Sequence, residues 1–387
     1  TSTSLSNDGT IVAIGARFND DAGSNAGHVR VYQYANSSWS QLGSDIDGVN
    51  SDDWNGASIS LSNNGTILAI GAPRHSSQMG HVRVYEYTNS SWTQLGSDID
   101  GEAANDFFGN SVSLSSDGTI VAIGANANDG TASNAGHVRV YQYAIGSWTK
   151  LGDDIDGEAE GDESGGSVSL SSDGSIVAIG AFRNDGTASN AGQVRVYQYA
   201  NSIWSKLGDD IDGEAANDYS GTSVSLSSDG TIVAIGAPYN DDNGNRSGHV
   251  RVYQYANSSW SQKGNDIDGE AEMDYSGYSV SLSDDGNIVA IGAYANDGNG
   301  NTAGHVRVYQ RDASNTTDAP IGWTQLGDDI DGEAGGDYSG WSVSISGDGN
   351  IVAIGAISND GNGSKAGQVR VYQYDVSKTT ADTNQTS

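Results

Sequence analysis

Ile120-Val121-Ala122-Ile123-Gly124-Ala125 carries no polar side chain, the pattern of a strand covered on both faces. The same six residues recur from Ile11, Ile176, Ile232, Ile288 and Ile351, and with one leucine from Ile67. Successive starts lie 56, 53, 56, 56, 56 and 63 residues apart. One unit built seven times is a repeat architecture, so chemistry that needs a single asymmetric site has to show itself as a break in the repeat.

Upstream of Ile120, Ser111-Val-Ser-Leu-Ser115 alternates small polar and apolar residues with the strand period of two. Between the two segments stands Asp117-Gly118, matched by glycine-followed residues at Asp8, Asn64, Asp173, Asp229, Asp285 and Asp348. The pair predicts a two-residue hairpin turn at positive φ. Downstream, a loop through Asn128-Asp129-Gly130 leads to the alternating strand His137-Val-Arg-Val-Tyr-Gln-Tyr143. After Ala144 to Ser147, the run from Trp148 to Ile155 makes a fourth strand. Four antiparallel strands in each of seven units predict an all-β, seven-bladed propeller. Side-chain size orders them from axis to rim. The first strand offers Ser and Val, the second Ile, Val and Ala, the third Arg and Tyr, the fourth Trp, and that gradient is a wedge. The expected blades are 1–48, 49–101, 102–157, 158–213, 214–269, 270–332 and 333–387, forming one domain over 1–387.

Composition narrows the function. A net charge of −33 with only 17 Lys+Arg argues against nucleic acid and against anionic membrane surfaces. No apolar run approaches membrane-spanning length, so no membrane insertion is expected; the chain as given opens at Thr1 in a strand-like segment without a signal peptide. Cysteine is absent, which removes disulfides and thiolate metal sites. Such acidity is tolerated where salt or divalent cations screen it, since the Debye length is about 8 Å at physiological salt and about 3 Å at 1 M. An extracellular or cell-surface location is the expectation.

Three motifs now add up to a family. Asp-x-x-Gly-x-Ser-Val-Ser, then Gly-Ala, then Gly-x-Val-x-Val-Tyr resembles the FG-GAP repeat of integrin α-subunit propellers and related extracellular proteins. The triplet Gly-Ala-Pro stands at Gly71-Ala72-Pro73 and Gly236-Ala237-Pro238, and a Phe-Gly pair at Phe108-Gly109. The resemblance implies a propeller, and a role in cell adhesion. It departs from the family at one place. Calcium-binding members carry Asp-x-Asp-x-Asp-Gly between the first two strands, and here the tight Asp-Gly or Asn-Gly turn replaces it, so those calcium sites do not carry over.

Strand order places the loops between strands two and three on one face, together with the connections between blades. That face is acidic. Its ligand candidates are Asp129, Asp185, Asp241, Asp297 and Asp360 in the loops, and Asp106, Asp162, Asp218, Asp274 and Asp337 in the connections. The structural alternative is that each caps a turn through its own backbone. Asp241-x-Asn243-x-Asn245 and Asp297-x-Asn299-x-Asn301 space oxygen ligands as hard-cation loops do, which makes Ca2+ the one candidate cofactor. Histidine opens the third strand in five units (His28, His81, His137, His249, His305) and glutamine in two (Gln193, Gln368). A position open to either residue predicts a structural hydrogen-bonding group. The arginine two residues on, from Arg30 to Arg370, predicts ion pairs between blades. The strand-four tryptophans predict wedging between outer strands.

The opposite face carries Asn-x-Ser/Thr glycosylation candidates at Asn36, Asn64, Asn89, Asn257 and Asn315, as expected of a glycoprotein. The repeat breaks twice. An insertion, Arg311 to Ile321, accounts for the spacing of 63, and no Trp strand follows Tyr374. Blade seven then lacks its outer strand unless Asp375 to Ser387 supplies one. Without that outer strand, Gln368, Val369, Arg370, Val371 and Tyr372 form an open edge for assembly. No constellation for catalysis escapes the repeat, so no enzyme is expected. The leading expectation is a non-enzymatic binding or structural module for adhesion or surface assembly. It presents its acidic face to a protein partner or self-assembles through that edge. The alternative is a glycan-binding propeller lectin, for which Phe107, Tyr219, Tyr275 and Tyr338 are the aromatics to examine.

Overall fold

The computed structural model describes residues 2–317 and 320–374. Seven antiparallel sheets stand around one axis, each running outward in sequence order. In blade three the strands are Ser111–Leu114, Ile120–Ala125, His137–Ala144 and Ser147–Lys150. A short segment, Ile155–Asp156, also pairs with the third strand. The predicted fourth strand is therefore broken in its middle. Leu151 still donates its N–H to Val140 O at 2.7 Å, and Gly152 then turns at a φ of +70° beside the Trp204 indole of the next blade. Blade seven has three strands among the described residues, ending with Gln368–Gln373.

The core is not inside any sheet but between sheets. Seven apolar layers each join two neighbouring blades, the seventh joining Ala353 of blade seven to Leu5 and Val12 of blade one. Alternation sends one strand into two layers: Ile67 and Ala69 face blade three, while Leu68 and Ile70 face blade one. This is the physical reason the second strand carries no polar side chain.

The inner strands alternate serine because serine bridges blades. Each inner-strand leucine or isoleucine N–H donates to a serine Oγ of the blade before it, from Leu61 to Ser4 round to Leu5 to Ser344, at 2.9–3.1 Å. The hairpin is longer than the two residues predicted. Ser115 to Thr119 link the strands, the N–H of Gly118 donates to Ser115 O, and within Asp117-Gly118 only the glycine is left-handed. The longer turn has a use. Asn7, Asn63, Ser116, Ser172, Ser228, Asp284 and Gly347 each donate a backbone N–H to the next, and Gly347 donates to Asn7, all at 2.8–2.9 Å. That is a closed sevenfold ring.

Candidate functional site: the axial mouth on the loop face

Loops between strands two and three and the connections between blades do share a face, as expected from strand order. The carboxylates on it divide into two kinds. Asp106, Asp162, Asp218, Asp274 and Asp337 are buried. Each accepts a backbone N–H from three residues before it at 3.0 Å, and an asparagine Nδ2 at 2.9–3.2 Å. This corrects the expectation that they present a ligand surface: they hold the connections in place beneath it. Their partners Asn128, Asn184, Asn240, Asn296 and Asn359 went unrecognised, although an Asn-Asp pair recurs at that point of the units. Asp129, Asp185, Asp241, Asp297 and Asp360 are exposed, and each caps the amide five residues on through Oδ1 at 2.6–2.8 Å.

The asymmetric feature lies at the inner rim of this face, around the axis. Eight aromatic rings form one contiguous chain across blades four to seven. Phe182, Tyr219, Tyr239, Tyr275 and Tyr294 follow one another at centroid distances of 4.9–6.3 Å. Tyr278 and Trp341 close on Tyr294 at 4.6 and 5.1 Å and on each other at 4.7 Å, and Tyr338 lies 6.0 Å from Tyr294. A second group stands on blades one and two. Arg74 lies 3.8 Å over the Trp54 ring, and Arg17 lies 5.1 Å from Trp54 and 4.7 Å from Phe18. The two groups meet where the Tyr278 phenol acts on the Arg17 guanidinium; burial pulls that guanidinium below its usual pKa, Tyr278 works against this, and Arg74 adds to it. Burial pushes Tyr278 up to about 12, so it stays a neutral phenol. Blade three, with Asn126 and Ala127 at the matching positions, leaves the arc open on one side.

Backbone geometry aims these side chains. Trp54, Phe107, Glu163, Tyr219, Tyr275 and Tyr338 occupy one repeat position, all at φ between +54° and +60°. A large side chain there costs about 1–2 kcal/mol. Each such residue donates its amide to the loop of the preceding blade, as Tyr275 does to Arg246 O at 3.1 Å. Sequence reasoning found Phe107, Tyr219, Tyr275 and Tyr338 but missed the rest. The signal was present: of eight tryptophans, six lie in outer strands, and the two left over are Trp54 and Trp341.

A different chemistry repeats at the start of the third strand. Five groups each bring a histidine together with two or three carboxylates among the described residues: His28, His81, His137, His249 and His305 head them. The expected hydrogen bonds to these rings are missing at several. Nδ1 of His28 and His81, Nε2 of His305 and both nitrogens of His249 are buried without a partner. The arginines beside them adopt two arrangements. Arg30, Arg83 and Arg139 pair with Asp45, Asp98 and Asp154 of their own blades. Arg195, Arg251, Arg307 and Arg370 instead donate to a backbone carbonyl of the preceding blade at 2.7–2.9 Å and pair with a connection glutamate. Blade two has Val49 where that glutamate would stand, so Arg83 turns to Asp98, whose carboxyl it holds at about 2. The pairing expected between blades is thus found in four blades, is joined by a pairing within the blade at Arg139, which meets both Asp154 and Glu102, and is replaced by a pairing within the blade at Arg30 and Arg83.

The loop motifs resembling hard-cation sites are engaged otherwise. Asp241 caps Arg246 N, while Asn243 and Asn299 donate to Gly269 O and Gly332 O at 2.7 Å. The backbone carbonyls of Asn245 and Asn301 accept from Met273 and Gly336. Neither Asp241 nor Asp297 belongs to the grouped ligands above. On the opposite face, Asn36, Asn89 and Asn257 are exposed and left-handed, each followed by a left-handed serine, a type I′ turn that favours asparagine. Asn64 Oδ1 accepts from Ser62 and Thr66, and Asn315 Nδ2 donates to Trp323 O at 2.7 Å within the insertion, so that nitrogen is engaged. Gln368 to Tyr372 lie in the last strand of blade seven among the described residues; Asp375 to Ser387, the alternative source of an outer strand, lie outside them. No helix among the described residues is long and apolar enough to cross a membrane.

Compared with known proteins, residues 98–141, 211–253, 266–309 and 330–372 match the sequence model described as FG-GAP repeat. No curated protein matches the chain by sequence. Among solved structures, a protein carrying the description 6-phosphogluconolactonase, from Bacteroides uniformis, is similar at a TM-score of 0.64 and 12% identity, covering 97% of this chain and 94% of its own. Hydrazine synthase of Kuenenia stuttgartiensis is similar at 0.59 and 12% identity, covering 97% and 96%. At that identity the likeness is one of fold alone.

Proposed function

This chain belongs to the FG-GAP repeat family of β-propellers, and we propose that it is a non-enzymatic binding module that grips a protein partner at the axial mouth of its loop face. The observation that carries the reading is the arc of Tyr, Trp and Arg where the repeat is broken. Those are the residue types that dominate binding energy at protein interfaces, and they cluster at the centre of a face whose rim is acidic. The exposed Asp129, Asp185, Asp241, Asp297 and Asp360 form that rim and favour a partner with basic residues around an apolar centre. Adhesion or surface assembly outside the cell suits the strong acidity, and the exposed turns at Asn36, Asn89 and Asn257 are where glycans are accommodated. The edge at Gln368–Tyr372 is a second assembly surface, since its outward backbone groups have no strand beside them among the described residues.

A glycan ligand is the second reading. It is favoured by half-buried tyrosines beside carboxylates, since such rings stack on sugars. One experiment separates the two. The chain and its triple variant Tyr239→Ser, Tyr275→Ser, Trp341→Ser are immobilised and offered extracellular protein fractions and a glycan array. A protein held by the parent and lost by the variant, at unchanged melting temperature, supports the first reading. Glycan binding lost in the same way replaces it with the second. Equal binding by parent and variant sinks both.

A further inference from the structure

His249 opens the third strand of blade five with its side chain 1% exposed, and neither ring nitrogen has a hydrogen-bond partner. Its Nδ1 faces Asp266 Oδ2 at 3.8 Å. Ligand atoms from Glu214, Asp242, His249 and Asp266 all lie within 4.8 Å of one another. They come from four different segments: the connection into blade five, its loop between strands two and three, its third strand and its broken outer strand. We propose that these four side chains hold one divalent transition ion, with zinc the best fit.

The donor set decides the ion. One imidazole nitrogen and three carboxylate oxygens suit a borderline cation of low coordination number, whereas calcium takes six to eight oxygens. Tetrahedral zinc with bonds of about 2.0–2.2 Å needs ligand atoms about 3.4 Å apart. Glu214 and Asp242 are exposed and Asp266 half-buried, so carboxylate rotation closes the remaining ångström around the fixed imidazole. Burial holds His249 neutral, with a pKa of about 3, which is the ligating form. Burial also raises Glu214; Arg251 offsets this, and Asp266, Asp242 and Asp218 add to it, as crowded carboxylates do.

Blade five combines two features. In blades one to three arginine bonds the carboxylate equivalent to Asp266. In blade five Arg251 turns away to Asp212 O and to Glu214 Oε1 at 3.2 Å, and Gln262 holds only the other oxygen of Asp266. Blade six keeps His305, Glu270 and Asp329, but Gly298 stands where blade five has Asp242. Among the described residues, blade five is the one place where all four ligands come together.

The site is tested on the full chain, independently of any partner. Equilibrium dialysis against zinc chloride, with metal counted by mass spectrometry, is expected to show one tightly held zinc per chain and a melting temperature raised by zinc. His249→Gln uses the residue that blades four and seven already carry at Gln193 and Gln368, so the fold is kept. Its zinc affinity is expected to fall at least tenfold, with the metal-free melting temperature unchanged. Asp266→Asn is expected to do the same, and His137→Gln to leave binding intact. Absence of stoichiometric zinc in the parent overturns the proposal, as does zinc retained by both His249→Gln and Asp266→Asn.

Discussion

The backbone N–H of Gly347 in blade seven donates to the carbonyl of Asn7 in blade one at 2.8 Å, joining residues 340 positions apart. The contact repeats what every other neighbouring pair of hairpins makes, so the ring closes with no special latch at the tips. Leu5 N–H to Ser344 Oγ, at 3.0 Å, repeats the serine bridge of the other interfaces. Higher up, glycines 15, 71, 124, 180, 236 and 292 lie so close to a carbonyl of the next blade that a Cβ would sit 1.9–2.2 Å from it.

Blades one and seven are the neighbours that no short connection joins, so local opening should start at their interface, and Ser344 tests it. Ser344→Ala leaves the half-buried Leu5 amide without its acceptor, at a cost of about 1–3 kcal/mol. Hydrogen exchange at Leu5 is expected to speed up while amides of blades three and four stay protected. Ser113→Ala, which strips the equivalent bond from Leu170 inside the ring, should lower global stability without local opening. Equal behaviour of the two variants would show that all seven interfaces open alike.

Gly118 makes a second demand legible. It sits at a φ of +72°, and a Cβ would approach Ile67 of the preceding blade to 2.6 Å. Gly118→Ala therefore meets both left-handed strain of about 1–2 kcal/mol and overpacking of about 1–3 kcal/mol. The expected loss in urea unfolding is about 2–5 kcal/mol on those two costs. Gly146→Ala is the control: it lies at a φ of +84° with open space around it, and should lose only the strain.

The fold was legible because it is periodic. Ile120 to Ala125 announces burial on both faces, and the Trp, Arg and Ser positions announce the wedge. Sequence patterns report each residue's environment when it repeats, and the seven blades repeat it. The site was less legible for the same reason. Tyr239, Tyr294 and Trp341 matter through contacts between blades at positions where each unit differs, and a pattern averaged over units removes them. Asp106 and its sisters were misplaced because an acidic residue beside glycines looks the same whether it caps a loop from outside or from beneath. Only the buried amide of Asn128 distinguishes the two.

His81 carries a pH prediction. Burial first, then Arg83 and His75, pull its pKa from 6.5 to about 4, against Asp98 and Asp53. In the unfolded chain it titrates near 6.5, so between those values the unfolded state binds more protons. Its stabilisation is complete above pH 6.5 and declines as pH falls toward 4, by up to about 1.4 kcal/mol per pH unit. Asp98 acts in a separate, lower window, since Arg83 depresses it to about 2 and its contribution is lost only below its ordinary 3.8. Urea unfolding at pH 7 and at pH 4.5 should show His81→Gln losing less stability on acidification than the parent. An unchanged difference between the two pH values would mean that His81 is not held neutral.

The outer tryptophans make the last prediction, because one of them has no acceptor among the described residues. Trp148 donates its indole N–H to Leu95 O of blade two at 2.8 Å, and Trp92, Trp204, Trp260 and Trp323 each reach the preceding blade in the same way. Trp39 is preceded by blade seven, which has no fourth strand among the described residues, and none of those residues offers its indole an acceptor. Trp148→Phe keeps most of the apolar area but deletes a hydrogen bond between blades, and should cost about 1–2 kcal/mol, most of it the carbonyl left without its donor. Trp39→Phe removes no such bond and should cost well under 1 kcal/mol on the same scale. If Trp39→Phe proves as costly as Trp148→Phe, then a further strand covers Trp39 in solution, and the edge at Gln368–Tyr372 is occupied in the chain by itself.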